Sequence, residues 1–159
     1  ADMGPENVEE FGAAQEGEDA LCAWLAEFGE PFRQVTAEQI AEAFGGLVPQ
    51  IDVDVLEGGY AAQMAAETRR ALQGGFDGWV DDDLAFTRPW GFDVGDIQLP
   101  VTVWQGDLDL MVPVAHGRWL VDHLPKATQH MVAGHGHISL VTRYRDEILN
   151  DLQDAVPAT

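Results

Sequence analysis

Residues 100–137 read PVTVWQGDLDLMVPVAHGRWLVDHLPKATQHMVAGHGH. The run from Pro100 to Trp104 is β-branched and aromatic and is bounded by proline and glycine, which is the pattern of a short strand. Residues 113–124 carry Val114, Leu120, Val121 and Leu124 on one side and stop at Pro125, so they form an amphipathic helix. A second strand follows over 127–133. Beyond it, Ser139 to Gln153 places Leu140, Tyr144, Ile148 and Leu152 along one face of a closing helix. Strand, helix, strand, helix is the signature of a right-handed parallel crossover, so the fold class is α/β.

In such sheets functional groups collect in the loops at the carboxyl ends of the strands. One loop, Gly106 to Pro113, offers carboxylates at Asp107 and Asp109. The other, Gly134 to Leu140, offers imidazoles at His135 and His137. A neutral imidazole takes a proton from a hydroxyl efficiently only when an acceptor holds its other nitrogen, fixing the tautomer and stabilising the imidazolium as it forms. The 28-residue spacing from Asp109 to His137 accommodates one crossover helix, so these side chains can meet at adjacent strand ends. Asp107 and His135, two positions earlier, are the rival acid and base. A less favoured reading draws all four into a metal cluster suited to zinc or manganese. His116, His123 and His130 read as surface or helix histidines. Ser139 reads as the cap of the closing helix.

Moving toward the amino end, residues 75–99 are rich in Trp, Phe, Asp, Gly and Pro and read as a connector. Trp79, Phe86, Trp90 and Phe92 are expected to plug it onto a core, the alternative being that some of them line a substrate pocket, and the Asp81–Asp83 run to be a helix start or solvated turn. Tryptophans and methionines generally are expected in the core before a pocket. Residues 1–74 show helical spacing punctuated by glycine: Val8, Phe11, Leu21, Trp24, Leu25 and Phe28 across 6–33 with a break near Gly17. A capping box at Thr36-Ala-Glu-Gln39 starts a helix that should stop at Gly45-Gly46. A further helix runs from Gly58-Gly59 through Tyr60, Met64 and Leu72 to Gly74-Gly75. The division is thus 1–74 helical, 75–99 connector, 100–154 βαβα, and 155–159 a frayed tail.

The stretches VTVWQGDLDLMVPVAHGRWL and HMVAGHGHISL resemble the late strands of the α/β-hydrolase superfamily, in which one strand ends in Gly-x-x-Asp ahead of Val-Pro and the next ends in Gly-His. The lead-in WVDDDLAFTRPWGFDVGDI is similar to the passage from cap to core in bacterial members related to proline iminopeptidases and tripeptidyl hydrolases. The resemblance covers about 75–153 strongly and the helical part weakly. It implies a helical cap followed by the last strand-helix units of a parallel sheet, an incomplete fold, with Asp109 as triad acid and His137 as base. The later pair is preferred because Gly136-His137 directly precedes a helix start and Asp109 sits four before Pro113.

In this family a Gly-x-Ser-x-Gly elbow carries the nucleophile upstream of the cap. It is absent from this sequence, whose single serine is Ser139. The expectation is therefore the carboxyl-terminal portion of a hydrolase of ester or amide bonds, supplying acid and base, inactive by itself, and acting on a small-molecule or peptide substrate. Its partners would be a missing amino-terminal half or complementing chain, or a second copy forming a homodimer, since two lone parallel strands lack neighbours to bury them. The alternative is a non-catalytic interaction module or an inactive truncated remnant. Some relatives attack with aspartate, so esterase, peptidase, lactonase and dehalogenase chemistry all stay open.

Composition sets the outer limits. A formal charge of -20 with Lys126 as the only lysine argues against nucleic acid, which is bound through clustered Lys and Arg. No apolar run long enough to span a membrane and no signal-peptide pattern occurs, so the cytoplasm is expected over secretion. Cys22 has no partner in the chain and reads as a buried structural thiol. No cofactor is expected.

Overall fold

A computed structural model describes residues 3–44 and 47–155. Within them the chain is mainly helical, and its one sheet has two strands. β1 (Val101–Gly106) pairs in parallel with β2 (Ala127–Val132), in register from Val101 opposite Ala127 to Gly106 opposite Val132. The intervening helix α7 (Val114–His123) packs on both strands. Strand alternation decides what lies on each face. Val101 and Val103 join Leu120, Val121 and Leu124 in the core beneath α7, and Gln105 packs against Gly117 of the same helix. Trp104 points the other way, to Tyr144 and Asp151 of the closing helix α8 (His137–Ala155), and its indole N–H donates to Asp151 at 3.1 Å. The α/β arrangement expected for this region is present. The expected apolar side of α8 is not wholly covered, for Leu152 stays 63% exposed. No helix of the described residues is long and apolar enough to cross a membrane.

The first half is helical, as its spacing implies. α1 (Pro5–Glu16) and α2 (Glu18–Phe28) are separated at Gly17. α3 (Ala37–Ala43) begins with the expected capping box, in which the Thr36 hydroxyl accepts from the Gln39 amide and the Gln39 side chain accepts from that of Thr36. Its expected stop at Gly45-Gly46 lies outside the described residues, as do 156–159 of the tail. A short helix that the periodicity did not disclose, α4 (Gln50–Val55), continues through a widened turn at Leu56–Tyr60 into α5 (Ala61–Ala71). Ile40, Leu47, Val48, Leu56, Ala61 and Ala65 form one core with Ile138 of α8, and Met111 packs against it. The helical half is thereby seated directly on both loops at the sheet's carboxyl end.

Residues 75–99 depart from the expected connector, because α6 (Asp77–Thr87) occupies their first half. Val80 and Leu84 bury against Ala14, Leu21 and Leu25 of α1 and α2. Only some of the aromatics are plugs. Phe76 and Trp79 pack on that core, whereas Phe86, Trp90 and Phe92 are exposed by 52–66% and line a shallow surface groove with Trp119. Two further expectations fail. Cys22 is exposed, since Leu21 and Leu25, four apart, take the inward stripe of α2. The Asp81–Asp83 run is not wholly solvated: it lies inside α6, and Asp83 shares the inward side with Val80 and Leu84 at 4% exposure.

Candidate active site

Both strands end where backbone crosses backbone at close range. Asp107 N–H donates to Val132 and Leu108 N–H to His135, so the two loops are laced together immediately beyond the sheet. A Cβ on Gly106 would lie 2.2 Å from the His135 carbonyl oxygen, which leaves room for glycine alone. This close approach brings Asp109 to His137: carboxylate Oδ2 and imidazole Nδ1 are 3.0 Å apart.

The carboxylate is the rigid partner. Its side chain is only 4% exposed, and its lone pairs are filled. Oδ1 accepts the amides of Met111 at 3.0 Å and Val112 at 2.8 Å, an Asx turn that folds the loop back before Pro113. Oδ2 also accepts the Gln105 amide at 3.2 Å, and Gln105 bridges onward to the Val112 carbonyl at 3.1 Å. Four donors around one buried carboxylate satisfy its acceptors in an apolar setting. The loop is further tied by the first helix, since Gly4 N–H donates to Leu110 and the Asn7 amide to Met111.

His137 is the accessible partner, its side chain 45% exposed. The hydrogen bond it donates to Asp109 lifts its pKa above the ordinary imidazole value; burial opposes the rise, while the charges of Asp109 and Asp52 add to it. With Nδ1 committed to the carboxylate, Nε2 is the nitrogen left for proton transfer, and it makes no hydrogen bond among the described residues. An imidazole held in this way can take a proton from a hydroxyl or water and return it to a leaving group.

The rival residues do other work. Asp107 accepts the Gly134 amide at 2.7 Å and braces the loop pair. His135 sits with Nδ1 3.0 Å from the Ala133 carbonyl and its ring edge-on to Tyr144. The four-residue metal cluster therefore does not assemble, and among the described residues no three histidine, cysteine or acidic side chains are placed to share an ion. Ser139 is 1% exposed and is not the expected N-cap, because α8 begins two residues earlier at His137; its hydroxyl reaches back from the first turn to accept the Gly136 amide at 3.0 Å. His123 and His130 stack on Trp119 and Trp104.

Two functional neighbours lacked a local signal. Gln105 lies in a strand and resembles any polar strand residue. Asp52 comes from α4, is fully buried, and accepts the amides of Ile138 at 3.0 Å and Ser139 at 2.9 Å across 86 and 87 residues of chain.

No family model, no curated protein and no solved structure matches this chain.

Proposed function

We propose that this chain supplies the acid and the base of a serine-hydrolase-type acyl transfer, within the carboxyl-terminal portion of an α/β-hydrolase. The observation that carries the reading is the 3.0 Å contact between a four-donor buried carboxylate, Asp109, and a half-exposed imidazole, His137, at the ends of adjacent parallel strands. Asp109 orients the ring and offsets its charge. His137 acts as general base toward the nucleophile and then as general acid toward the leaving ester oxygen or amide nitrogen.

The nucleophile comes from another segment or a complementing chain, because Ser139, the one serine of this sequence, is buried and engaged by the Gly136 amide. Three features favour such a complement. β1 has a strand partner on one edge only among the described residues. Leu108, Leu110 and Val112, beside Asp109, remain 38–44% exposed, and so do larger fractions of Phe86, Trp90 and Phe92. Apolar surface beside the catalytic pair, as at Leu108, Leu110 and Val112, suits a pocket wall or an interface. The same exposure supports the second reading, a binding module that docks a partner without turnover.

The test is complementation. Mixed with a segment bearing a Gly-x-Ser-x-Gly elbow, the chain is expected to hydrolyse a p-nitrophenyl ester, and His137→Ala to reduce that rate by about 10³-fold or more. Stable association without turnover favours the binding module. His137-dependent hydrolysis by this chain alone contradicts the assignment of the nucleophile elsewhere.

A further inference from the structure

We infer that Asp52 is a positioning residue for His137: a carboxylate delivered by the helical half that fixes the base-bearing loop and cancels the positive potential of the helix start on which the imidazole stands. The inference rests on the acid–base reading of Asp109 and His137 and adds a third group to it.

The geometry is specific. His137 is the first residue of α8, where the unpaired amides of the first turn create a positive potential. A cation formed at that end is disfavoured, yet a general base must become a cation during each transfer. Asp52 is 0% exposed and spends both oxygens on this turn, Oδ2 on Ile138 N–H and Oδ1 on Ser139 N–H. A buried carboxylate is costly, and a neutral acceptor such as the Ser139 hydroxyl already serves Gly136 at the same helix start. What Asp52 adds is charge, in a low-dielectric setting next to the imidazole.

The contact is also tightly built. A Cβ on Gly136 would lie 2.4 Å from Asp52 Oδ2 and 2.6 Å from Pro49 Cγ, so the residue before His137 must be glycine for the carboxylate to reach the turn. The charged groups around the base are Asp109 from the acid loop and Asp52 from α4, and both raise its pKa. Asp54 and Arg143 line the adjoining groove between α4 and α8. Asp52 thus links the position of the helical half to the proton affinity of the base.

The experiment follows the His137 ring resonances of the full chain through a pH titration without substrate. Asp52→Asn, which keeps one acceptor and removes the charge, is expected to move the imidazole midpoint to lower pH. Ser139→Ala, which disturbs the same helix start without changing charge, is expected to leave it in place. Equal midpoints in all three proteins, or equal shifts in both variants, overturn the inference and reduce Asp52 to an ordinary cap.

Should Asp52→Asn fail to fold, the unsubstituted chain decides. Its Asp52 carboxyl carbon is expected to show an inflection at the imidazole midpoint that disappears in His137→Ala, because coupling between two sites is reciprocal. A flat carboxyl signal through that range overturns the proposal. No substrate enters these measurements, so they stand or fall separately from the hydrolase reading. In a complemented, active enzyme, Asp52→Asn is further expected to shift the acid limb of the pH–rate profile to lower pH.

Discussion

Two regions of this molecule bury carboxylates, and they do so in opposite ways. At the strand ends, Asp109 and Asp52 are enclosed by N–H groups: Met111, Val112, Gln105 and His137 for the first, Ile138 and Ser139 for the second. At the seam between α1 and α6, Asp83 is buried to 4% exposure with no hydrogen-bond partner for Oδ2. Its neighbour there is another acid, Glu10, whose Oε1 already accepts the Trp79 indole N–H. Burial pushes the Asp83 carboxyl up to about 7, and repulsion from Glu10 and Asp82 adds to the rise. A carboxylate surrounded by donors is held in place and can orient the group that donates to it. One surrounded by acids binds its proton more tightly and faces no donor to orient, so burial alone does not distinguish the two settings.

The contrast breaks most directly at Asp109. Asp109→Ala strands the amides of Met111, Val112 and Gln105 and is expected to cost about 3 kcal/mol in urea unfolding, while lowering the His137 midpoint. A loss below about 0.5 kcal/mol would mean that the carboxylate does not hold the loop.

At the seam the expected sign is reversed. Asp83 binds its proton more tightly when folded, about 7 against an ordinary 3.8, so stability declines as pH climbs through that window and the full cost is present above it. Asp83→Asn is accordingly expected to stabilise the chain by about 1–2 kcal/mol at pH 8 and by almost nothing near pH 4. Equal effects at both pH values would remove the protonation account. His137, its pKa also raised in the fold, contributes stability that is lost as pH rises through its own midpoint. The unsubstituted chain should therefore weaken in two stages, the second absent from His137→Gln.

The smallest effect concerns neither acid. Thr36→Ala removes the acceptor for the Gln39 amide and should cost about 1 kcal/mol, without moving either titration. A change in the His137 midpoint would show that the helical half communicates with the site by routes other than Asp52.

The contact between Asp109 and His137 was legible because a carboxylate and an imidazole stand at successive strand ends, one helix apart. The capping box at Thr36 and the break at Gly17 were legible for the same reason, since their partners lie within a few residues. Asp52 was hidden because its partners lie 86 and 87 residues away and its own window, QIDVDV, offers no acceptor pattern. Asp83 was concealed by its neighbours. Three consecutive aspartates suggest solvent, yet on a helix consecutive residues point 100° apart, and the third falls on the same side as Val80 and Leu84. The exposed Phe86, Trp90 and Phe92 misled in the other direction, because aromatic content speaks of burial without saying by what.

The hydrogen bonds from Gly4 and Asn7 to the carbonyls of Leu110 and Met111 make the first turn of α1 a strut beneath the Asp109 loop. Limited proteolysis ahead of Val8 would therefore register at a carboxylate a hundred residues downstream. Gly4 and Asn7 thus tie the start of α1 to the loop that carries Asp109.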